Sequence, residues 1–235
     1  MADLDPERVA QVANALAPGR GDPAGLLCAA SAAVIDVAGA GVVLMSQRRA
    51  LGSVCASDPR TEAVEDVQYA LGEGPCVDAY RSRSPVMVPD LASMTGNRWV
   101  GFRVGALEAG VRGAFGFPLV VRSVCIGALD LYQDHSGELT DEQFLNAEVV
   151  AHLVTRTVLG WQAVAVGDSL AWQLEPVPLH RAVVHQAVGM VSVQAALSMD
   201  DALTLIRASA FAEGRSAGSL ATDIVEGRVR FDDGC

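Results

Sequence analysis

Leu71 to Leu91 reads LGEGPCVDAYRSRSPVMVPDL. Gly72 and Gly74 mark a turn, and Pro75 suits the first turn of a short helix, where a missing N–H costs nothing. Cys76, Ala79 and Tyr80 fall on one side of that helix. Pro85-Val86-Met87-Val88-Pro89 then predicts a short strand closed at both ends by proline. Proline cannot donate to a sheet ladder, so this strand belongs at an edge. A turn, a one-sided helix and an edge strand within 21 residues set the pattern for the flanking chain.

Upstream, Leu4, Val9, Val12 and Leu16 predict a helix over 4–17, and a second runs from Pro23 to Val37. The period then shortens to two: 41–46 and 51–56 read as strands joined by Gln47-Arg48-Arg49. A helix over 60–70 leads into the opening stretch. Downstream, NRWVGFRVGALEA (97–109) predicts a helix with Asn97 as cap, and Gly110 stops it. AFGFPLVVRSVCIGALDLY (114–132) is two strands around a tight Arg122-Ser123 hairpin, the first of them starting near Val111. Thr140 and Gln143 have capping-box spacing. The helix they open keeps apolar spacing to about Gln173, roughly 50 Å at 1.5 Å per residue. Glu175-Pro176-Val177-Pro178 breaks the chain.

Beyond the break, Leu179 to Gly227 reads as three short amphipathic helices. The first carries Val183, Val184, Ala187, Met190, Val191 and Ala195; the second is capped by Ser198 with Asp201 and carries Ala202, Leu205 and Ile206. Gly214 is its expected stop. The third starts near Ser216 and carries Leu220, Ala221, Ile224 and Val225. The fold class is therefore α+β, an antiparallel sheet of about five strands with flanking helices, followed by a small all-α three-helix domain. The expected divisions are an N-terminal helix (1–21), an α+β unit ending in a long helix (22–166), a linker (167–178) and the helical unit (179–235).

Composition bounds the function. The formal net charge is −11, and all 17 basic residues are arginine. Residues 176–235 hold five arginines against seven acids, so they are close to neutral, while residues 1–175 carry most of the negative charge. An acidic chain binds nucleic acid or anionic membrane poorly without placed arginines. No signal peptide or membrane span is read, and the expected compartment is the cytoplasm. The five cysteines (Cys28, Cys55, Cys76, Cys125, Cys235) form no CxxC pair. They fit neither a disulfide framework nor a zinc pattern, and read as small buried hydrophobes in a reducing compartment. No metal site and no catalytic set is read.

LGEGPC, PVMVPDL, GFPL and GALDLY, in this order of elements, resemble a GAF domain over about 145 residues. The C-terminal helices are similar to an ANTAR domain, a three-helix RNA-binding module of transcription antitermination regulators, at Arg181, Gln186-Ala187, Gly189-Met190, Asp201-Ala202, Ile206-Arg207 and Leu220-Ala221. The resemblance implies a sensor domain that governs RNA stem-loop binding by the helices, without catalysis, in a homodimer.

It also implies two sites. Arg181, His185, Gln186, Arg207 and Arg215 are the candidate RNA contacts; arginine can grip phosphate and stack on unpaired bases. A solvated helix face is the alternative for each. Cys76, Tyr80, Trp99, Phe102 and Phe115 are candidates to line the GAF cleft for a small ligand, with ordinary core as the alternative. No cyclic-nucleotide, haem or bilin signature fixes the cofactor, which stays unknown. Val188 stands where the family usually carries lysine, which motivates a regulator acting by protein contacts without RNA. A thiol-dependent methionine sulfoxide reductase using Cys55, Cys76 and Cys125 is the remaining alternative, with Cys76, near a helix N-terminus, the one cysteine placed for reactivity.

Overall fold

The computed structural model describes residues 5–16, 23–46, 49–167, 179–213, 215 and 217–231. The chain divides into two compact units, Met1–Ser169 and Leu170–Cys235. The expected linker, with its proline break, and the expected helix end at Gln173 lie outside the described residues apart from Gly167, as do Gln47-Arg48, Gly214, Ser216 and Cys235.

The first unit begins with α1 (Pro6–Ala15) and α2 (Pro23–Ile35), then β1 (Gly39–Ser46) and β2 (Arg49–Ala56). Next come α3 (Pro59–Leu71), α4 (Pro75–Ser82), β3 (Val86–Val88) and α5 (Val100–Glu108). The hairpin β4 (Gly113–Val121) and β5 (Val124–Gln133) precedes α6 (Asp141–Gly167). The strands form one sheet in the order β2-β1-β5-β4-β3, with every neighbouring pair antiparallel. The proline-bounded β3 is an edge, as its sequence predicts, and β5 is central.

Helix ends follow local chemistry. Asp58 caps α3 by accepting from the N–H groups of Arg60 and Thr61, both at 3.0 Å; such a cap contributes about 1 kcal/mol. Gly72 closes α3 in the left-handed region, φ 64°. At α6 the capping box is reciprocal: Thr140 N–H donates to Gln143 Oε1 at 2.9 Å, and Gln143 N–H to Thr140 Oγ1 at 3.2 Å. Helix α5 departs from expectation. It starts at Val100, not at Asn97, because Trp99 occupies the left-handed region, φ 53°. The Phe102 N–H is met by the Glu73 carboxylate, from 29 residues back, at 2.9 Å.

The sheet separates two unlike cores. On one face α2 and α6 pack over Ala40, Val42, Phe115, Phe117, Leu119, Leu129 and Leu131, and Val12 brings α1 into the same apolar cluster. Each such large side chain stabilises the fold by roughly 1.5–3 kcal/mol. Cys28 of α2 and Cys55 of β2 are joined there by a disulfide. This corrects the reading of all cysteines as separate hydrophobes: the helix crosses the strand where the two residues meet. On the other face lie α3, α4 and α5.

The second unit is α7 (Leu179–Gln194), α8 (Met199–Ala212) and α9 (Ala217–Val225), each packed on the other two. Val184, Ala187, Val188, Val191, Ala202, Ile206, Ala210, Leu220, Ala221 and Ile224 are its buried stripes. Ser198 caps α8 through the Asp201 N–H at 3.1 Å, as its sequence predicts. The chain after α9 returns to α7, where Phe231 N–H donates to Gln194 Oε1 at 3.1 Å.

Candidate functional site

The α3 sequence PRTEAVEDVQYAL puts Thr61, Val64, Glu65, Gln68 and Tyr69 on its buried side. Three of these five are polar, on the face where an ordinary helix is apolar. They meet β5, where Ala128, Asp130 and Tyr132 alternate toward the same side.

Asp130 sits at the middle of this face. Its cross-strand partners are Gly41 on β1 and Gly116 on β4. The missing side chain at Gly41 makes room for the Glu65 carboxyl, which a Cβ there would strike. The missing side chain at Gly116 lets the N-terminus of α4 sit on the sheet: a Cβ would lie 2.7 Å from the Pro75 carbonyl oxygen. Gly74, at φ 132°, leaves the same kind of room for Gln68.

The polar side chains form one network. Gln68 Nε2 donates to Asp130 Oδ2 at 3.2 Å and to the Tyr132 hydroxyl at 2.7 Å. Gln68 Oε1 accepts the Cys76 N–H at 3.2 Å, and Tyr132 OH donates to Glu65 Oε1 at 2.9 Å. Glu65, Gln68, Asp130, Tyr132 and Cys76 are all buried, and among the described residues Asp130 Oδ1 meets no donor within hydrogen-bond geometry.

Burial first, and then the charge of Glu65, pushes the Asp130 carboxyl well above the usual carboxylate range. Two neighbouring buried carboxyls cannot both ionise cheaply, so the pair retains a proton. Tyr132 is pushed up by burial and by the Glu65 and Asp130 charges. Cys76 is pushed well up by burial and by Asp130 and Glu65. Burial and these charges outweigh its position at a helix N-terminus, so this is a poor setting for a reactive thiolate. Cys55 is in the disulfide, and Cys125, buried in β5, is likewise raised by burial. Among the described residues no group of three or more His, Cys, Asp or Glu could hold a metal ion.

The five residues expected to line the cleft separate. Cys76 and Tyr80 pack with Val43, Met45, Val77 and Ala128. Trp99 and Phe102 pack with Val64, Leu91, Ala114 and Tyr132, their rings edge to face at 5.8 Å. Both groups lie on the α3/α4 face. Phe115 does not: it pairs with Leu131 and belongs to the α2/α6 core, a correction to the expected lining. The polar centre is not legible as a unit in the sequence. Its signals were an acid within the apolar run of β5 and the i, i+4, i+7 spacing of Thr61, Glu65 and Gln68.

A loop closes this face. The Arg98 guanidinium lies 4.0 Å from the Trp99 ring centroid and donates to Asp78 of α4 at 2.8 and 3.1 Å.

The family model described as GAF domain matches residues 24–158, more than half of the chain. The chain belongs to the GAF domain family. Two solved GAF domains share the fold at low identity. The GAF domain from Acinetobacter phosphoenolpyruvate-protein phosphotransferase is 11% identical at TM-score 0.50, covering 70% of this chain and 99% of its own. The corresponding Coxiella burnetii domain is 13% identical at TM-score 0.50, covering 68% and 95%. The fRMsr of Staphylococcus aureus in its reduced form is 17% identical at TM-score 0.44, covering 66% and 98%. No curated protein matches the chain.

In the C-terminal unit, Arg181 and His185 lie on α7, with side chains outside the described residues. Gln186 is exposed on α7 and Arg207 is half-buried on α8. Arg215 is engaged: it pairs with Asp223 and Glu213 and donates to Ser219 at 3.1 Å. Asp223 is also held by Arg228. Val188 is buried between the helices, so a lysine there would have to leave the core. No helix among the described residues is long and apolar enough to cross a membrane.

Proposed function

We propose that this chain is a signal-responsive regulator. Its GAF domain senses a small molecule or partner at the α3/α4 face and controls RNA binding by the C-terminal helices, as an ANTAR module would. It works in the cytoplasm as a homodimer and carries out no catalysis. The observation that supports a sensing role is the buried Glu65–Gln68–Asp130–Tyr132 network. Desolvating two carboxyls is costly, and a core serving stability alone is better filled with apolar groups. On α7, Gln186 is presented outward while its neighbours Ala187 and Val188 face the core, which leaves it free to meet a base edge.

Filter binding of the full chain to RNA with paired stem-loops, against scrambled RNA at a fixed salt concentration, tests this reading. A preference of about tenfold or more, or about 1.4 kcal/mol, is expected. Equal affinity for the two RNAs, with and without cell metabolites, removes it.

A second reading, a regulator acting by protein contacts alone, is favoured by the ion pairs that occupy Arg215 and by the burial of Val188. The double variant Arg181→Ala/Arg207→Ala separates the two. Loss of RNA preference supports the first; unchanged RNA binding supports the second.

A further inference from the structure

We infer that Cys28 and Cys55 form an exchangeable thiol–disulfide site whose oxidation locks α2 onto the edge strand β2. The observations are independent of the RNA reading. The pair is specific: among the described residues, the other cysteines, Cys76 and Cys125, are free and buried elsewhere. Both cysteines lie in the apolar α2/α6 core, with residue exposures of 0% and 8%, in the same cluster as Val42 and Ile35. Thiols behave there as small hydrophobes, so the reduced state needs no new hydrogen bonds.

The access route is the edge. Among the described residues β2 is hydrogen-bonded to β1 alone, and the ladder shifts register between Val42 and Val43, next to the Val42–Cys55 pair. An edge strand with an irregular ladder opens at less cost than a central one. The exchange balances with a small-molecule disulfide such as oxidised glutathione as oxidant. Its sulfur–sulfur bond accepts two electrons and two protons from the Cys28 and Cys55 thiols. The protein disulfide forms, and two small thiols leave.

The link matters for the fold because α2 also packs on α6, the helix that runs on to Gly167. Closing the loop between residues 28 and 55 restricts the unfolded chain and fixes α2 against β2.

The test uses the full chain equilibrated over a series of reduced-to-oxidised glutathione ratios. It is then quenched with an alkylating agent under denaturing conditions and mapped by mass spectrometry. A Cys28–Cys55 linked peptide that rises and falls reversibly with the ratio is expected. Reduction should lower the melting temperature by roughly 5–10 °C and speed amide exchange in β2 and α2. The Cys28→Ser/Cys55→Ser variant should melt near the reduced wild type and ignore the ratio. Should that variant not fold, the reversible shift of the wild type decides alone. Three results overturn the inference: no link at any ratio, a link to Cys76 or Cys125 instead, or a link that excess reductant cannot open in the folded protein.

Discussion

The two faces of the sheet differ at their centres. Under α2 and α6, β5 presents Leu129 and Leu131 to a core made of aliphatic and aromatic side chains. Under α3 and α4, the same strand presents Asp130 and Tyr132 to Glu65 and Gln68. One residue of offset along β5 separates a packing surface from a polar network. That division lets one face carry buried carboxyls beside the apolar clusters around Phe102 and Val43.

The largest expected effect lies on the apolar face. Leu131→Ala should cost about 3 kcal/mol or more, as cavity-forming substitutions do, read as a shift in the urea midpoint. A loss under 1 kcal/mol would mean that this core is not close-packed. Next is Gly116→Ala. Its Cβ would lie 2.7 Å from the Pro75 carbonyl oxygen, which is backbone and cannot swing aside. Roughly 1–3 kcal/mol of destabilisation is expected, and a neutral result would mean that α4 is not seated on the sheet.

The smallest effect is a slope. Asp130 has a raised folded-state pKa, so the folded chain keeps a proton that the unfolded chain releases above about pH 4. Its stabilising contribution is complete below that pH and falls as pH rises toward the folded value. Asp130→Asn cannot ionise and should flatten the fall; denaturation midpoints stepped from about pH 4 to about pH 8 check it. An unchanged slope would mean that the carboxyl is solvated and that the contrast between the faces is overstated.

Much of the architecture could be read from local signals. The Arg122-Ser123 hairpin, the proline-bounded edge and both capping boxes depend on neighbours a few residues apart. What could not be read depends on distant partners. The side of Phe115 follows from its pairing with Leu131, and glycines at Gly113 and Gly116 blur the alternation that would reveal it. The α5 start depends on Glu73, 29 residues back. The Cys28–Cys55 link depends on where α2 crosses β2, which spacing does not encode. The polar network has the same character: Asp130 and Glu65 are ordinary residues until the sheet and α3 bring them together.

The row Gly41–Asp130–Gly116 also limits how this chain can change over generations. Any other residue at Gly41 meets the Glu65 carboxyl, and any other at Gly116 meets the backbone of α4. A shorter residue 65 would relieve the first, but it would strand the Tyr132 hydroxyl that donates to it. Single substitutions at either glycine are therefore traps, and only paired ones lead elsewhere. A lineage that reshapes this face must move several of these positions together or work around them from the loop that carries Arg98 and Trp99.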